Sequence, residues 1–484
     1  MDQLDLQVIE RQLGRRPRGV LDIACRCFQD KPAVIITSPL IGPQNQIFPT
    51  NWWLTCPWLN RAIGFLEGQG AIEELGGQID LTVVHGTYAL QRQALIPWRQ
   101  RSRLFQEAPE RYEVLVERGV AGIAPPGGIK CLHTHYAYWL AGEDNPVGQW
   151  VHDHLTKEIL GRYTYSCRSC GAPPACPSEG HLVVRPSKKK VRPTPSGPMG
   201  AVIDVGTNSL RLLIGQGYRQ DWQPLYRGLW TNRLGEGLKA TGRISHKALR
   251  RTRLALEEIS QLLREHGVEK VKAVATSAVR EGENGQDCVQ LFAQFGLTLE
   301  VLSGQREGEL SFQGARGGES VALIDIGGGS TEVVIGRQES PWMVSIPIGV
   351  VKILEEGLTA QDIQGELASY LEERPPAQKL IAVGGTATTL AAIDLGLVTY
   401  DGDLVQGHTM SRSTIVELYQ CLAALPQRWR EKLPGLQPER ADVIPGGALL
   451  LEQIMAYLGF EQVEIKDTDL MDALMDEVLP VKEG

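Results

Sequence analysis

The phrase AVIDVGTNSLRLLIG, Ala201 to Gly215, returns as ALIDIGGGSTEVVIG, Ala322 to Gly336, and the two align without a gap. Ala201 falls on Ala322, Ile203 on Ile324, Asp204 on Asp325, Gly206 on Gly327 and Ser209 on Ser330. Each copy is an apolar run ending in Asp, a Gly-rich turn and a second apolar run, the pattern of strand, tight turn and strand. Glycine in the turn lets a ligand come close to the backbone, and successive N–H groups facing one concavity suit phosphate oxygens. One such hairpin alone is as readily an ordinary turn. Two aligned copies with Asp at the same place argue for a duplicated fold with a cleft between its halves.

A third phrase, LIAVGGTATTLAAI at residues 380–393, runs from a strand into Gly384, Gly385 and Thr386 and then takes helical spacing. The free N–H groups of a helix start favour an anion there too. Between the phrases, Ser245 is placed to cap a helix with the stripe Leu249, Leu256, Ile259 and Leu263, ending at Gly267. Strands at Val271–Ala275 and Leu297–Leu302 alternate with helices, so this half reads as α/β.

Composition divides the chain. Residues 1–200 hold 22 Lys and Arg against 18 Asp and Glu, a balance of +4, and the rest hold 27 against 39, a balance of −12. The join, VVRPSKKKVRPTPSGPMG, has the Pro, Ser, Gly and Lys content of a linker. The expected division is a domain at 1–185, a linker at 186–199 and a domain at 200–484, with lobes at about 200–318 and 319–484. No apolar run approaches the roughly 20 residues that span a bilayer, and MDQLDLQVIERQLGRR lacks a signal-peptide pattern. Nine cysteines without a secretory signal read as reduced thiols or metal ligands, so a cytoplasmic location with no membrane partner is expected. No feature marks a specific nucleic-acid partner.

In chain order the second half writes Asp204-x-Gly206-Thr207-Asn208-Ser209-x-Arg211, then ATSAVREGEN, SGQREGEL, DIGGGSTE and VGGTATTLAAIDLGL. The set resembles the exopolyphosphatase and guanosine pentaphosphate phosphatase family over about 280 residues, and RADVIPGGALLLEQIM, Arg440 to Met455, extends it. The resemblance implies an α/β fold, a duplicated actin-like (ribonuclease-H-like) two-lobe phosphatase, behind a separate N-terminal α+β domain. The implied substrate is inorganic polyphosphate or pppGpp, cleaved at its terminal phosphoanhydride, with a homodimer as one assembly open to the chain. Glu307, in SGQREGEL, matches the family's catalytic base. Read without the motif, it is a solvated helix residue like its neighbours Arg306 and Glu309. Asp325 and Glu332 match residues that hold a divalent cation or position water, and Asp204 takes the equivalent place in the first loop. Hard oxygen donors around phosphate imply Mg²⁺. The implied phosphate set is Gly206, Thr207, Asn208, Ser209, Gly327, Gly328, Gly329, Ser330, Gly384, Gly385 and Thr386, with Arg211, Arg280 and Lys352 at the family's basic positions.

Anhydride hydrolysis needs an oriented water, neutralised oxygens and in-line approach. A positioned carboxylate base contributes roughly 10²–10⁴ in rate. Departures from the family pattern are few: Thr207 stands for the commoner Ser, and Arg306 replaces an acid beside the base in what is usually Glu-Glu-Ala-x-Leu. The chain stops at Gly484 without the added helical domain of longer members, so processive binding of long chains is not expected. A rival reading is a phosphate- or nucleotide-sensing module on the same scaffold. Retention of Glu307, Asp325 and Glu332 together favours the enzyme.

In the first half, RQLGRRPRG, FPTNWWLTCPWLN and KCLHTHYAYWLAGEDNPVG resemble an uncharacterised bacterial family, domain-of-unknown-function family 501, over about 150 residues. That resemblance implies no activity. Cys131-x-His133-x-His135 on a strand would put three side chains on one face, and with Cys56 they read either as a metal or thiol site or as a buried polar core. Cys167, Cys170, Cys176 and His181 have the ligand types of a structural Zn²⁺ site, with a non-standard second spacing.

Overall fold

The computed structural model describes residues 2–160, 162 and 197–482, apart from 28, 43–44, 125–126, 157–158, 316–319 and 338–340. It divides into two units, Met1–Arg192 and Pro193–Gly484. Among the described residues no helix is long and apolar enough to cross a membrane.

The first unit is α+β. Its strands are β1 (Val20–Arg26), β2 (Pro32–Thr37), β3 (Leu40–Ile41), β4 (Gln46–Ile47) and β5 (Trp52–Leu54). β1, β2 and β5 form an antiparallel sheet in that order, and β3 pairs with β4. Alternation gives this sheet two faces. Val34, Trp52 and Leu54 enter a core with Trp58, Tyr88, Tyr136 and Tyr138 from the helices. Ile35 and its cross-strand partner Trp53 take the other face.

The second unit repeats one sheet plan. Lobe I holds β6 (Met199–Val205), β7 (Leu210–Tyr218), β8 (Asp221–Trp230), β9 (Lys270–Ala275) and β10 (Leu299–Val301), in the order β10-β9-β6-β7-β8. Lobe II holds β11 (Val321–Ile326), β12 (Thr331–Gly336), β13 (Trp342–Ile346), β14 (Lys379–Val383), β15 (Thr409–Ser411) and β16 (Gln462–Ile465), in the order β13-β12-β11-β14-β16-β15. In each, the first three strands are antiparallel and two more join in parallel, β9 and β10 in lobe I and β14 and β16 in lobe II, where β15 adds antiparallel to β16. The duplicated phrases are β6–turn–β7 and β11–turn–β12. Ser245 caps the helix His246–Glu265, accepting from the Ala248 N–H at 3.2 Å, and Leu256, Ile259 and Leu263 are buried.

Both parities of β6 are apolar because both sheet faces are covered. Ala201, Ile203 and Val205 pack under the His246–Glu265 side, whereas Val202, Leu213 and Val274 meet Leu470, Leu474 and Met475. The last three belong to the helix Leu470–Val478, so the final helix lies on lobe I and not on lobe II, where a split at 319 would put it. Conversely Phe312, on the helix Gly304–Ala315, packs with Leu323, Val334 and Ile381 of the lobe II sheet. The two helices also pack on each other, joining the lobes.

Candidate active site

The two repeated turns close in the same way. The Gly206 N–H donates to the Ser209 carbonyl at 2.9 Å, and the Gly327 N–H to the Ser330 carbonyl at 2.9 Å. Their carbonyls are tied outward: Thr207 and Asn208 accept from the N–H groups of Gly235 and Arg233, and Gly327 and Gly328 from those of Val350 and Val351. Among the described residues, the N–H groups of Thr207, Asn208, Gly328 and Gly329 donate to no protein acceptor. The two loops also face each other closely. A side chain on Gly328 would strike Thr207, and one on Gly329 would strike Ser277.

These loops, with Gly384, Gly385 and Thr386 at the start of the helix Gly384–Leu395, line one cleft of about 640 Å³, mouth included. Asp204, Ser209, Arg211, Glu307, Asp325 and Ser330 line it as well. Sequence reading had not singled out Thr276, Ser277 or Arg440 for this cleft. Arg440 lay in a recognised motif, but periodicity could not show that its guanidinium reaches Gly385, where any side chain would collide with it. Its Nε donates to Gln437 Oε1 at 3.1 Å, and among the described residues it makes no ion pair. Burial and the nearby Arg211 charge lower its pKa to about 10, so it is a cation at neutral pH.

Of the basic residues at the family's positions, Arg211 lines the cleft, whereas Arg280 and Lys352 do not. Arg211 is held by carboxylates on two sides: Nε and Nη2 donate to Asp204 Oδ2 at 2.9 and 2.7 Å, and Nη1 donates to Asp469. Arg280 does not line the cleft; Nη1 donates to the Leu302 carbonyl at 2.8 Å and to Glu307 Oε2 at 3.3 Å. Lys352 lies outside it, donating to the Pro347 carbonyl at 2.7 Å and pairing with Glu366 at 3.8 Å.

Among the described residues five buried carboxylates gather here: Asp204, Glu307, Asp325, Glu332 and Asp469. The repeat makes the pairing plain, for Asp204 stands opposite Arg211 and Asp325 opposite Glu332 at matching registers. Lobe I is neutralised where lobe II accumulates charge. Burial, then the Asp469 charge, push Asp325 up to about 6 although Ser311 donates to it at 2.9 Å. Burial, then Asp325, push Glu332 up to about 7. Burial with Glu332 and Asp325 raises Glu307 well above the usual range, opposed by Arg280. Glu332 sits behind the second loop and does not line the cleft; its Oε1 accepts from Ser330 and Ser345, each at 2.8 Å. Among the described residues, Asp204 Oδ1 and Glu332 Oε2 are buried without a hydrogen-bond partner.

Among the described residues no three His, Cys, Asp or Glu side chains form a ready-made metal cage. Mg²⁺ usually takes only one or two carboxylates and keeps waters or phosphates as its other ligands. Orphaned, charge-crowded carboxylate oxygens fit that demand.

In the first unit, Cys131 precedes the helix Leu132–Leu140, which carries His133 and His135, so the three residues do not share the face that a strand would give them. His133 contacts Glu67 Oε1 at 3.1 Å and the Asn60 carbonyl at 2.9 Å, Cys131 contacts Thr134 at 3.1 Å, and Cys56 is buried. Burial pushes His135 down to about 4, against its contact with Asn145. Cys167, Cys170, Cys176 and His181 lie outside the described residues.

The sheet order repeated in two lobes, with phosphate-type loops facing across a cleft, defines a duplicated actin-like phosphatase fold. The model of the Ppx/GppA phosphatase family matches residues 213–481, and the chain belongs to that family. It is a hydrolase of this type. The model of a protein of unknown function, DUF501, matches residues 23–153. The chain is 34% identical over 307 residues to exopolyphosphatase 2 of Mycobacterium tuberculosis, covering 57% of this chain and 96% of that one. The crystal structure of the Aquifex aeolicus Ppx/GppA family member shares 27% identity at a TM-score of 0.50, covering 58% of this chain and 97% of its own. That of an exopolyphosphatase from Cytophaga hutchinsonii shares 26% at 0.53, covering 59% and 100%.

Proposed function

We propose that the second unit removes the terminal phosphoryl group of inorganic polyphosphate, and of pppGpp where it is offered, by attack of water on the phosphoanhydride. The observation that carries this reading is the convergence of both Gly loops, a helix start, Glu307 and Arg440 on one cleft. Terminal phosphate oxygens rest on the free N–H groups of the loops, and Arg440 neutralises them. Glu307 takes the proton of the attacking water. Burial and the Glu332 and Asp325 charges favour its protonated form, so a cation balancing those charges would lower its pKa and free the carboxylate to act as the base. Arg280, at 3.3 Å, orients its carboxylate. Arg211 keeps Asp204 and Asp469 fixed and so positions the first loop. Mg²⁺, held by Asp204 and Asp325 with Glu332 behind them, would supply charge neutralisation to the phosphate oxygens.

The test is phosphate release by the full chain from polyphosphate, pppGpp and ATP in parallel, with Mg²⁺ and with chelator. Glu307→Gln should lower turnover by about 10²-fold or more with little change in substrate affinity. No release by the wild type, with binding intact, would favour a phosphate- or nucleotide-sensing module. An active Gln variant would remove Glu307 as the base while leaving the phosphatase reading in place.

A further inference from the structure

The outer face of the β1–β2–β5 sheet in the first unit is not bare. Ile35, Thr37 and Trp53 form the floor of a second cleft, of about 660 Å³ with its mouth included. Leu13, Ile41 and Phe48 wall it. The Phe48 and Trp53 rings lie within 9° of parallel with centroids 5.5 Å apart, which makes one side flat. The Thr37 hydroxyl already donates to the Thr50 and Asn51 carbonyls, so its proton is taken up within the floor.

Charge comes from the rim. Gly14, at φ 67°, ends the helix Gln3–Leu13, and the chain then passes Arg15, Pro17 and Arg18 along the mouth. The Arg15 guanidinium carbon stands 5.7 Å from the Trp53 ring centroid. Among the described residues neither Arg15 nor Arg18 makes an ion pair, whereas Arg26 on β1 is matched to Asp5 at 2.6 Å. Two guanidiniums kept clear of carboxylates beside a flat apolar wall call for an anion with a planar body. Arg binds phosphate through paired N–H groups and stacks on flat rings. An inorganic anion would leave the apolar floor wet, and an alkyl anion would match the flat wall poorly.

We propose that this cleft is a binding site for a nucleotide, its base on the Phe48–Trp53 side and its phosphate on Arg15 and Arg18. Adenosine 5′-monophosphate has no anhydride for the second unit to cleave, so it serves as the probe, measured by equilibrium dialysis on the full chain. It should bind saturably, and Arg15→Glu with Arg18→Glu should weaken it by about tenfold or more. Trp53→Ala should do the same, with its thermal midpoint checked against the wild type. Adenosine alone and inorganic phosphate alone should each bind at least about tenfold more weakly at this cleft than the joined molecule. Phosphate release from polyphosphate should be unchanged in the rim variants, because both arginines are exposed and belong to the other unit. Absence of binding at millimolar probe, or full affinity after charge reversal, overturns the site. Binding lost on Arg440→Ala and kept in the rim variants would put the probe in the second unit and overturn it equally.

Discussion

Asp325 shows how little freedom the active cleft leaves a single residue. Gly384 has φ 79°, and a side chain there would run into Asp325 Oδ1. Gly384→Ala should therefore cost about 1–2 kcal/mol in backbone strain alone and lower turnover further by displacing the carboxylate. Chemical denaturation and phosphate release measure the two effects separately. The crowded carboxylates also set a pH dependence. Asp325 titrates near 6 in the fold against an ordinary 3.8, and Glu332 near 7 against 4.5. Between those values the folded chain holds more protons than the unfolded one, so stability falls as pH rises through about 4 to 7. For Asp325 alone the loss is on the order of 3 kcal/mol. With chelator present, the thermal midpoint of the second unit should drop from pH 5 to pH 8, and Mg²⁺ should restore part of it at pH 8. A midpoint that climbs over this range would show that these groups are not held protonated in the fold.

At the scale of elements, Asp469 serves a helix and a sheet together. Its side chain accepts from the Met471 N–H at 2.8 Å to cap the helix Leu470–Val478, forms a capping box with Asp472 and receives Arg211. Asp469→Ala loses cap and charge, leaving Arg211 with Asp204 alone, and should destabilise the unit by roughly 3–5 kcal/mol. Asp469→Asn keeps a good cap and removes only the charge, so it should cost clearly less in the same denaturation experiment. The β–turn–β repeats and the Ser245-capped helix were legible because alternation, Gly turns and caps are local signals. The destinations of the two joining helices were not, since amphipathic spacing says that a face is buried but not against which sheet. Arg440, Thr276 and Ser277 enter the cleft through tertiary contacts that leave no mark on spacing. Lys352 fell on a motif position, yet its helix turns it towards the Pro347 carbonyl and Glu366. Cys131, His133 and His135 alternate as a strand would, but residues 132–140 are helical and bury Leu132, Tyr136, Ala137 and Leu140 among aromatic neighbours.

For the whole molecule, a segment of lobe I reaches across to lobe II beside the active cleft. Arg233 pairs with Asp442 at 2.7 Å, Lys239 with Glu356 at 2.6 Å, and the Gly237 N–H donates to Glu355 at 2.9 Å. Each partly exposed pair is weak, about 0–1 kcal/mol, yet together they bias the lobes towards closure. Lys239→Glu with Asp442→Lys should raise KM for polyphosphate several-fold, leave kcat less affected and enlarge the radius of gyration seen by X-ray scattering. The second unit has its own cores, so residues 193–484 alone should retain phosphate release. Activity confined to the full chain would assign the first unit a part in catalysis. The exchanged helices carry a further consequence, for the order of synthesis. Lobe I has all its strands once Val301 has left the ribosome, but beyond Leu302 and Leu310 the cover for Val202, Leu213 and Val274 arrives with Leu470–Leu479. At about 5–20 residues per second, the nascent lobe waits on the order of ten to forty seconds with an oily face open. During that interval it is a natural client for a chaperone, and premature termination in the last helix would make the exposure permanent.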